Sequence, residues 1–291
     1  MHKSISKPVL QQLISNKNEF QKICESLDIP TLVGYSFDDI DDFFREIGPC
    51  LDSEKSYLLK SANDRVILED KRRRFFLSRG GKDFNDYIVS ECARIGEGAS
   101  GFQIQEYHDF RTIPVTYYNT AFKLSSDVVE HLTTVQLVNF SAIERNIPST
   151  HWGNMKEIPH PLLNDAKEHA RRLVRHYRDM GYVGEIGVDF GLTDSGIFFL
   201  ETNARLNNST RLFYYLLALG IDPVEGNYIY ISNFIVDFLH YRLLRFRKMD
   251  GVSFESLPDA KTLIVTQTVA SLREIYGLIE TIGQSEFPIP G

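Results

Sequence analysis

The sequence predicts an α+β fold with mostly antiparallel sheets, arranged as two or three subdomains around a cleft. Three observations carry this expectation. Strand-like segments follow one another between residues 102 and 140 instead of alternating with helices. Two more, at 184–190 and 197–203, are joined only by the short turn GLTDSG. The 291 residues are also long for one simple core. A Rossmann sheet is not expected, and no GxGxxG, GxxxxGK[ST], GxSxG or HExxH motif occurs.

Taken in order, Leu10, Leu13, Ile14, Phe20, Ile23, Cys24 and Leu27 recur at helical spacing. Asn16 with Glu19 resembles a capping box that would restart the helix near Lys17. Ile29-Pro30 ends it, and TLVGY (31–35) reads as a short strand. FDDIDDFFREIG (37–48) reads as an amphipathic helix closed by Gly48, and SYLLK (56–60) as a strand with Lys60 at its exit. Residues 61–83 are polar, basic at Lys71-Arg72-Arg73-Arg74, and end in Gly80-Gly81. They read as a mobile loop holding a strand around RFFLS. DYIVSECARIG (86–96) is helical; FQIQEY (102–107), IPVTYYNTAFKL (113–124) and HLTTVQLVNF (131–140) are strands.

His151-Trp152-Gly153-Asn154 reads as a loop, either packed on the following helix or part of an acceptor pocket. HPLLNDAKEHARRLVRHYRDMG (160–181) is a long helix closed by Gly181. Helices are expected at 209–219, with Ser209 as N-cap, and at about 222–246. The tail offers a strand at 261–268 and a helix at 271–280.

Composition is that of a soluble globular chain, with 43% hydrophobic and 24% charged residues. A net charge of −7 provides no basic field for nucleic acid. Cys24, Cys50 and Cys92 stand in no CxxC or Cys/His spacing, which argues for a reducing compartment and against zinc or a disulfide framework. The N-terminus lacks the apolar core of a signal peptide, and no window reaches the roughly 18 apolar residues of a membrane span. A cytoplasmic protein without membrane partners is expected.

The chemistry concentrates in FFLETNARLNNST (198–210). Alternation places Phe199, Glu201 and Asn203 on one strand face, with Arg205 beyond them. On the preceding strand Ile186, Val188 and Phe190 form an apolar face and leave Gly187 and Asp189 opposite. Pairing Asp189 with Phe199 would bring every polar group to one face; a slip of one residue would separate them. Two carboxylates and an amide oxygen make a hard-oxygen site suited to Mg²⁺, and a neighbouring guanidinium complements an oxyanion. On the residues alone, a solvent-facing hairpin fits equally well.

GYVGEIGVDFGLTDSGIFFLETNARLNNST, followed by LALGIDPVE, resembles the C-terminal lobe of the ATP-grasp superfamily, with its Asp on one strand and Glu-x-Asn-x-Arg on the next. The nearest flavour is the carboxylate–amine ligase of the pheganomycin peptide-ligase type. SNKNEFQKICESLDIP, YLLK and IQEY match further landmarks in the family's order, so the resemblance spans about 15–235.

The resemblance implies two α+β lobes with a nucleotide cleft between them, without the α/β domain that usually precedes them. It divides the chain into an N-terminal helical entry segment (1–54), a small lobe with a phosphate-covering loop (55–108), a large lobe with the metal site (109–245) and a tail subdomain (246–291). It implies Mg²⁺, or Mn²⁺, on Asp189, Glu201 and Asn203. ATP would be held by Lys17, Lys60, Gly80, Gly81, Gln105, Glu106, Tyr107 and Asp109. Lys60 and Arg205 would be catalytic, and His151, Asn154 and Arg211 would meet substrate. Gly187 departs from the D-alanine-ligase pattern, which has an arginine there, and Asp109 is the one nearby candidate for the ribose.

The implied activity is ATP-dependent activation of a carboxylate as an acyl phosphate and its coupling to an amine, releasing ADP and phosphate. The substrates would be amino acids, peptides or carrier-bound acyl groups, and a second copy or a partner subunit would replace the absent domain. A phosphotransferase acting on a hydroxyl and a non-catalytic nucleotide binder are the alternatives that the sequence leaves open.

Overall fold

The computed structural model describes residues 7–32, 34–51, 56–62, 77–79, 89, 92–93, 101–106, 116–138, 151–194, 196–231, 251–257, 261–268, 270–271 and 274–275. Lys7–Ser15 (α1) and Lys17–Ser26 (α2) are separated by Asn16, whose side-chain oxygen accepts from the amides of Asn18 (3.0 Å) and Glu19 (3.1 Å). That cap satisfies donors the helix itself cannot. Leu10, Ile14, Phe20 and Cys24, all on the inward faces of these helices, are buried in the main core.

Gly34–Phe37 (β1) starts three residues later than expected, and Thr31 contributes only an isolated bridge to Phe199. Because Phe37 belongs to the strand, the helix expected from 37 starts at Ile40, where Asp39 accepts from the Asp41 amide at 2.8 Å. It is Ile40–Asp42 (α3), continued by a wide turn, Phe43–Ile47, and a tight one, Gly48–Cys50, that contains Pro49. Ser56–Ser61 (β2), Leu77–Arg79 (β3) and Phe102–Glu106 (β4) complete a small antiparallel sheet of order β1-β4-β2-β3. Phe37, Phe43, Ile47, Tyr57, Leu59 and Ile104 form its own core. β3 overlaps the strand expected around RFFLS; most of the 61–83 loop and of the 86–96 helix lies outside the described residues.

The large sheet contains Thr116–Leu124 (β5), Val128–Val138 (β6), His151–Lys156 (β7), Gly184–Thr193 (β8), Gly196–Asn203 (β9), Asn227–Ile231 (β10), Val252–Leu257 (β11) and Lys261–Thr266 (β12). Its order is β11-β12-β10-β7-β6-β5-β8-β9, and every named pairing is antiparallel. Leu163–Asp179 (α4) lies on one face with α1 and α2, and Asn208–Ala218 (α5) on the other. Ala166, Ala170, Leu173, Val174 and Tyr177 of α4 are fully buried, at the 3.6-residue period of one helix face. A fully buried leucine of this kind stabilises by about 2 kcal/mol. The α+β class with antiparallel sheets is as the sequence predicts. Among the described residues no helix is long and apolar enough to cross a membrane.

Four local expectations are corrected. His151-Trp152-Gly153-Asn154 is strand, not loop: it enters β7 between β6 and β10, where backbone pairing on both sides outweighs its loop-like composition. Asn227-Tyr-Ile-Tyr-Ile is the buried strand β10 and not helix, since between β7 and β12 an aromatic and β-branched run has both faces covered. The rest of that expected helix, 232–246, lies outside the described residues. β11, unanticipated, pairs with β12 at the sheet edge. The N-cap of α5 is Asn207 and not Ser209: Asn207 Oδ1 accepts from the Thr210 amide at 2.9 Å, while Ser209 is buried against the sheet.

Gly153 has a steric role in this arrangement. A Cβ there would stand 1.7 Å from the Tyr230 carbonyl oxygen, which is backbone and cannot yield cheaply. Gly153→Ala is expected to cost roughly 3 kcal/mol or more by overpacking. Gly196→Ala, whose Cβ would meet only Thr193 Oγ1 at 3.9 Å, should change little. Urea unfolding of the two variants compares them directly.

Candidate functional site

One polar row crosses the α5-facing side of the large sheet. Register places Thr134 opposite Asn119, Asn119 opposite Asp189, and Asp189 opposite Glu201, on four successive strands. Gln136 faces Asn154 on the next pair. The opposite face of the same strands carries Tyr118, Val135, Met155, Val188 and Phe190 in the core. Period-two alternation alone therefore separates the two sides.

The pairing at the row's end differs from the simple hairpin. Up to Asp189–Glu201 the strands are in one register; beyond it Phe190 pairs with Phe199, which leaves Leu200 without a partner as a β-bulge. The bulge exchanges the faces of Phe198 and Phe199 relative to strict alternation. Phe199 turns into the core, its ring 5.3 Å from that of Phe190, and Phe198 covers Gly191 on the other side. Glu201 and Asn203 stay beside Asp189. In an unbulged strand either Phe199 would leave the core or Glu201 would enter it.

Asp189 accepts three amide donors: Asn119 Nδ2 and Gln136 Nε2 (2.9 Å) on Oδ1, and Asn203 Nδ2 (3.0 Å) on Oδ2. The same Asn203 nitrogen lies 3.2 Å from Glu201 Oε1, and Lys17 Nζ stands 3.6 Å from Glu201 Oε2. Asp189 is half-buried and lines the pocket described below. Burial and then the facing Glu201 push its pKa up to about 7, against the opposing pull of Asn119, Arg205 and Gln136.

The residues fit a hard divalent cation. Asn203 Nδ2 already sets a positive dipole end between the two carboxylates, so the space between them favours positive charge. Asn119 Oδ1 is a buried oxygen with no hydrogen-bond partner among the described residues. Oxygen donors, two of them anionic, are the set that suits Mg²⁺, which keeps several of its own waters. No cluster of three or more His, Cys, Asp or Glu able to hold a metal occurs among the described residues. Among the described residues, the carboxylates at hand for such a cation are Asp189 and Glu201.

These groups open into a pocket of about 300 Å³ that also takes in Asn154, Arg205, Asn207 and Arg211. The first turn of α5 forms its far wall. Ser209 Oγ lies 2.7 Å from Thr134 Oγ1 and 2.9 Å from Asn154 Nδ2, which pins that turn to the sheet. Gly187 makes the approach possible: a Cβ there would stand 1.6 Å from Asn207 Nδ2. The position that departs from the D-alanine-ligase pattern is thus filled by the helix cap.

Of the residues singled out from the sequence, the structure gathers Asp189, Glu201, Asn203, Arg205, Asn154 and Arg211 around one pocket, with Lys17 reaching Glu201 from α2. Lys60 lies in β2 opposite Gln103. Gln105 is buried and Glu106 half-buried in β4; neither lines this pocket. His151 begins β7 opposite Val138. Gly80, Gly81, Tyr107 and Asp109 lie outside the described residues. Sequence reading missed Asn119, Gln136, Asn207 and Ser209. A lone amide within an apolar strand, as in Tyr118-Asn119-Thr120 and Val135-Gln136-Leu137, was the available signal.

A family model for the ATP-grasp domain matches residues 120–209, from β5 to the start of α5. Among solved structures, the ADP complex of an N5-carboxyaminoimidazole ribonucleotide synthetase superposes with a TM-score of 0.65 at 11% identity, over 98% of this chain and 75% of that one. The Aspergillus clavatus synthase in complex with ADP and 5-aminoimidazole ribonucleotide gives 0.61 at 13% identity, over 94% and 74%. An L-amino acid ligase from Bacillus licheniformis gives 0.59 at 10% identity, over 92% and 72%. None of the curated proteins matches the chain. The fold is the ATP-grasp fold, with its large antiparallel sheet and few helices.

Two outcomes follow from the site's geometry. Gly187→Ala must expel the Asn207 amide and with it the cap of α5, lowering stability by about 1 kcal/mol or more in thermal unfolding. For Asp189, a folded-state pKa raised above the unfolded value means that the folded chain holds a proton the unfolded chain releases. In cation-free buffer its contribution to stability is therefore present below about pH 4 and lost as pH rises toward 7. Urea midpoints at pH 5 and pH 7.5 should show wild type losing ground to Asp189→Ala as pH rises; parallel profiles would contradict this.

Proposed function

We propose that the chain is an ATP-dependent, ADP-forming carboxylate–amine ligase, of the kind exemplified by the pheganomycin peptide ligase, working in the cytoplasm. The observation that supports this most is the meeting of Asp189, Glu201, Asn203 and Arg205 at one pocket, within or beside the segment that matches the ATP-grasp domain. The superposed structures include one bound to ADP and one described as an L-amino acid ligase.

On this reading Asp189, Glu201 and Asn203 hold Mg²⁺, or Mn²⁺, which when bound neutralises charge on the phosphate oxygens. Lys60 meets the phosphates, Lys17 contacts the nucleotide, Gly80 and Gly81 cover the phosphates, and Gln105, Glu106, Tyr107 and Asp109 hold the nucleoside. A substrate carboxylate is already ionised at neutral pH, so no general base is needed for its attack on the γ-phosphorus. One carboxylate oxygen forms the new O–P bond, the bond to the β-phosphate oxygen breaks, and ADP leaves. Arg205, exposed at the pocket rim, faces the oxyanion of the acyl phosphate. An amine then bonds to the acyl carbon, phosphate departs, and the amine loses its proton. Closure around the site would keep water from the acyl phosphate.

Hydroxylamine, offered in place of the amine with ATP and Mg²⁺, should yield a hydroxamate from the correct acid. Glu201→Gln should reduce that yield by about a hundredfold or more while leaving the far-ultraviolet spectrum unchanged. Undiminished hydroxamate formation by Glu201→Gln would refute the assignment, and ADP release with no hydroxamate from any acid would point to another acceptor.

A further inference from the structure

The identity of the acid is narrowed by the pocket's charge pattern; this inference rests on the ligase reading. Among the described lining residues only Leu206 is apolar, and beyond Asp189 and Glu201 none is acidic. The wall away from those carboxylates is the first turn of α5, which contains no acidic residue and is followed at once by Arg211. Helix N-termini carry positive charge, so a guanidinium in this turn gains nothing from the helix dipole. Arg171, Arg175 and Arg178 on α4 each pair with a carboxylate. Arg211, exposed and lining the pocket, has no ion pair among the described residues. Its backbone is fixed, because the Asn207 cap and the Ser209–Thr134–Asn154 hydrogen bonds anchor the turn from which it projects.

We propose that the carboxylate substrate is a small polar acid bearing a second anionic group, and that Arg211 is the specificity-determining residue that pairs with it. The reacting carboxylate then lies toward Asp189 and Glu201. A guanidinium offers a fork of donors that matches a carboxylate or a phosphate oxygen pair. An apolar side chain would displace water from this lining without replacing its hydrogen bonds.

The test is calorimetric titration with succinate, 3-phosphonopropanoate and butanoate, matched in length, with and without Mg²⁺ and a non-hydrolysable ATP analogue. Wild type should bind one or both dianions about tenfold or more tightly than butanoate. Arg211→Gln should bind all three alike, and Arg211→Lys should keep part of the preference. Succinate against phosphonopropanoate shows which anion is read. Equal affinities in wild type, or a preference that survives Arg211→Gln, overturns the inference. A preference that depends on Arg211 but is accompanied by no nucleotide binding supports the anion site and removes the ligase reading instead.

Discussion

The pairing of β8 with β9 at Asp189 and Glu201 is the constraint on which the rest of the site depends. Two carboxylates set opposite each other on one sheet face repel, and burial strengthens the repulsion. The chain answers with amides: Asn119, Gln136 and Asn203 all donate to Asp189, and Asn203 also reaches Glu201. Each of those amides is placed by strand register, so the local chemistry is a consequence of the sheet. Burial and the facing Glu201, which the amides only partly offset, raise the Asp189 pKa, and a cation between the two carboxylates would relieve that unfavourable energy.

The bulge at Leu200 reconciles two demands that strict alternation cannot meet together. Phe199 has to fill the core beside Phe190, and Glu201 has to remain outside it two residues later. A single extra residue resolves the conflict, and the edge strand then receives the N-terminal segment, with the Phe199 amide donating to the Pro30 carbonyl at 2.8 Å. α2 also ties the two sheets together: the Lys17 amide bonds the Ala62 carbonyl beyond β2, while its ammonium stands by Glu201 on β9. The small sheet and the carboxylate pair thus share one anchoring residue.

Much of the site could be read from the sequence because its chemistry is compressed into a hairpin. Asp189, Glu201, Asn203 and Arg205 fall within one short stretch, and alternation groups Glu201 with Asn203. That Asp189 shares their face depends on the register, which pairs it with Glu201 and not, as expected from the sequence, with Phe199. Asn119 and Gln136 were hidden because each is an isolated amide in an otherwise apolar strand, distant in sequence from the carboxylates it serves. The strand β10 was read as helix because Asn227-Tyr-Ile-Tyr-Ile has apolar residues throughout, so no period distinguishes a doubly covered strand from a buried helix. The cap of α5 was displaced by two residues because Asn207 and Ser209 are both good caps, and only the sheet's claim on Ser209 decides between them.

By itself the sequence determined the α+β class, the helices α1, α2 and α4, the hairpin and the residue types that carry its chemistry. These follow from local periodicity, capping and turn chemistry, which act over a few residues. Only the tertiary structure decided which strands are neighbours, where the bulge falls, and which amides surround Asp189. Those depend on contacts such as Asn119 with Asp189, 70 residues apart, whose energy exists only after the chain has closed upon itself.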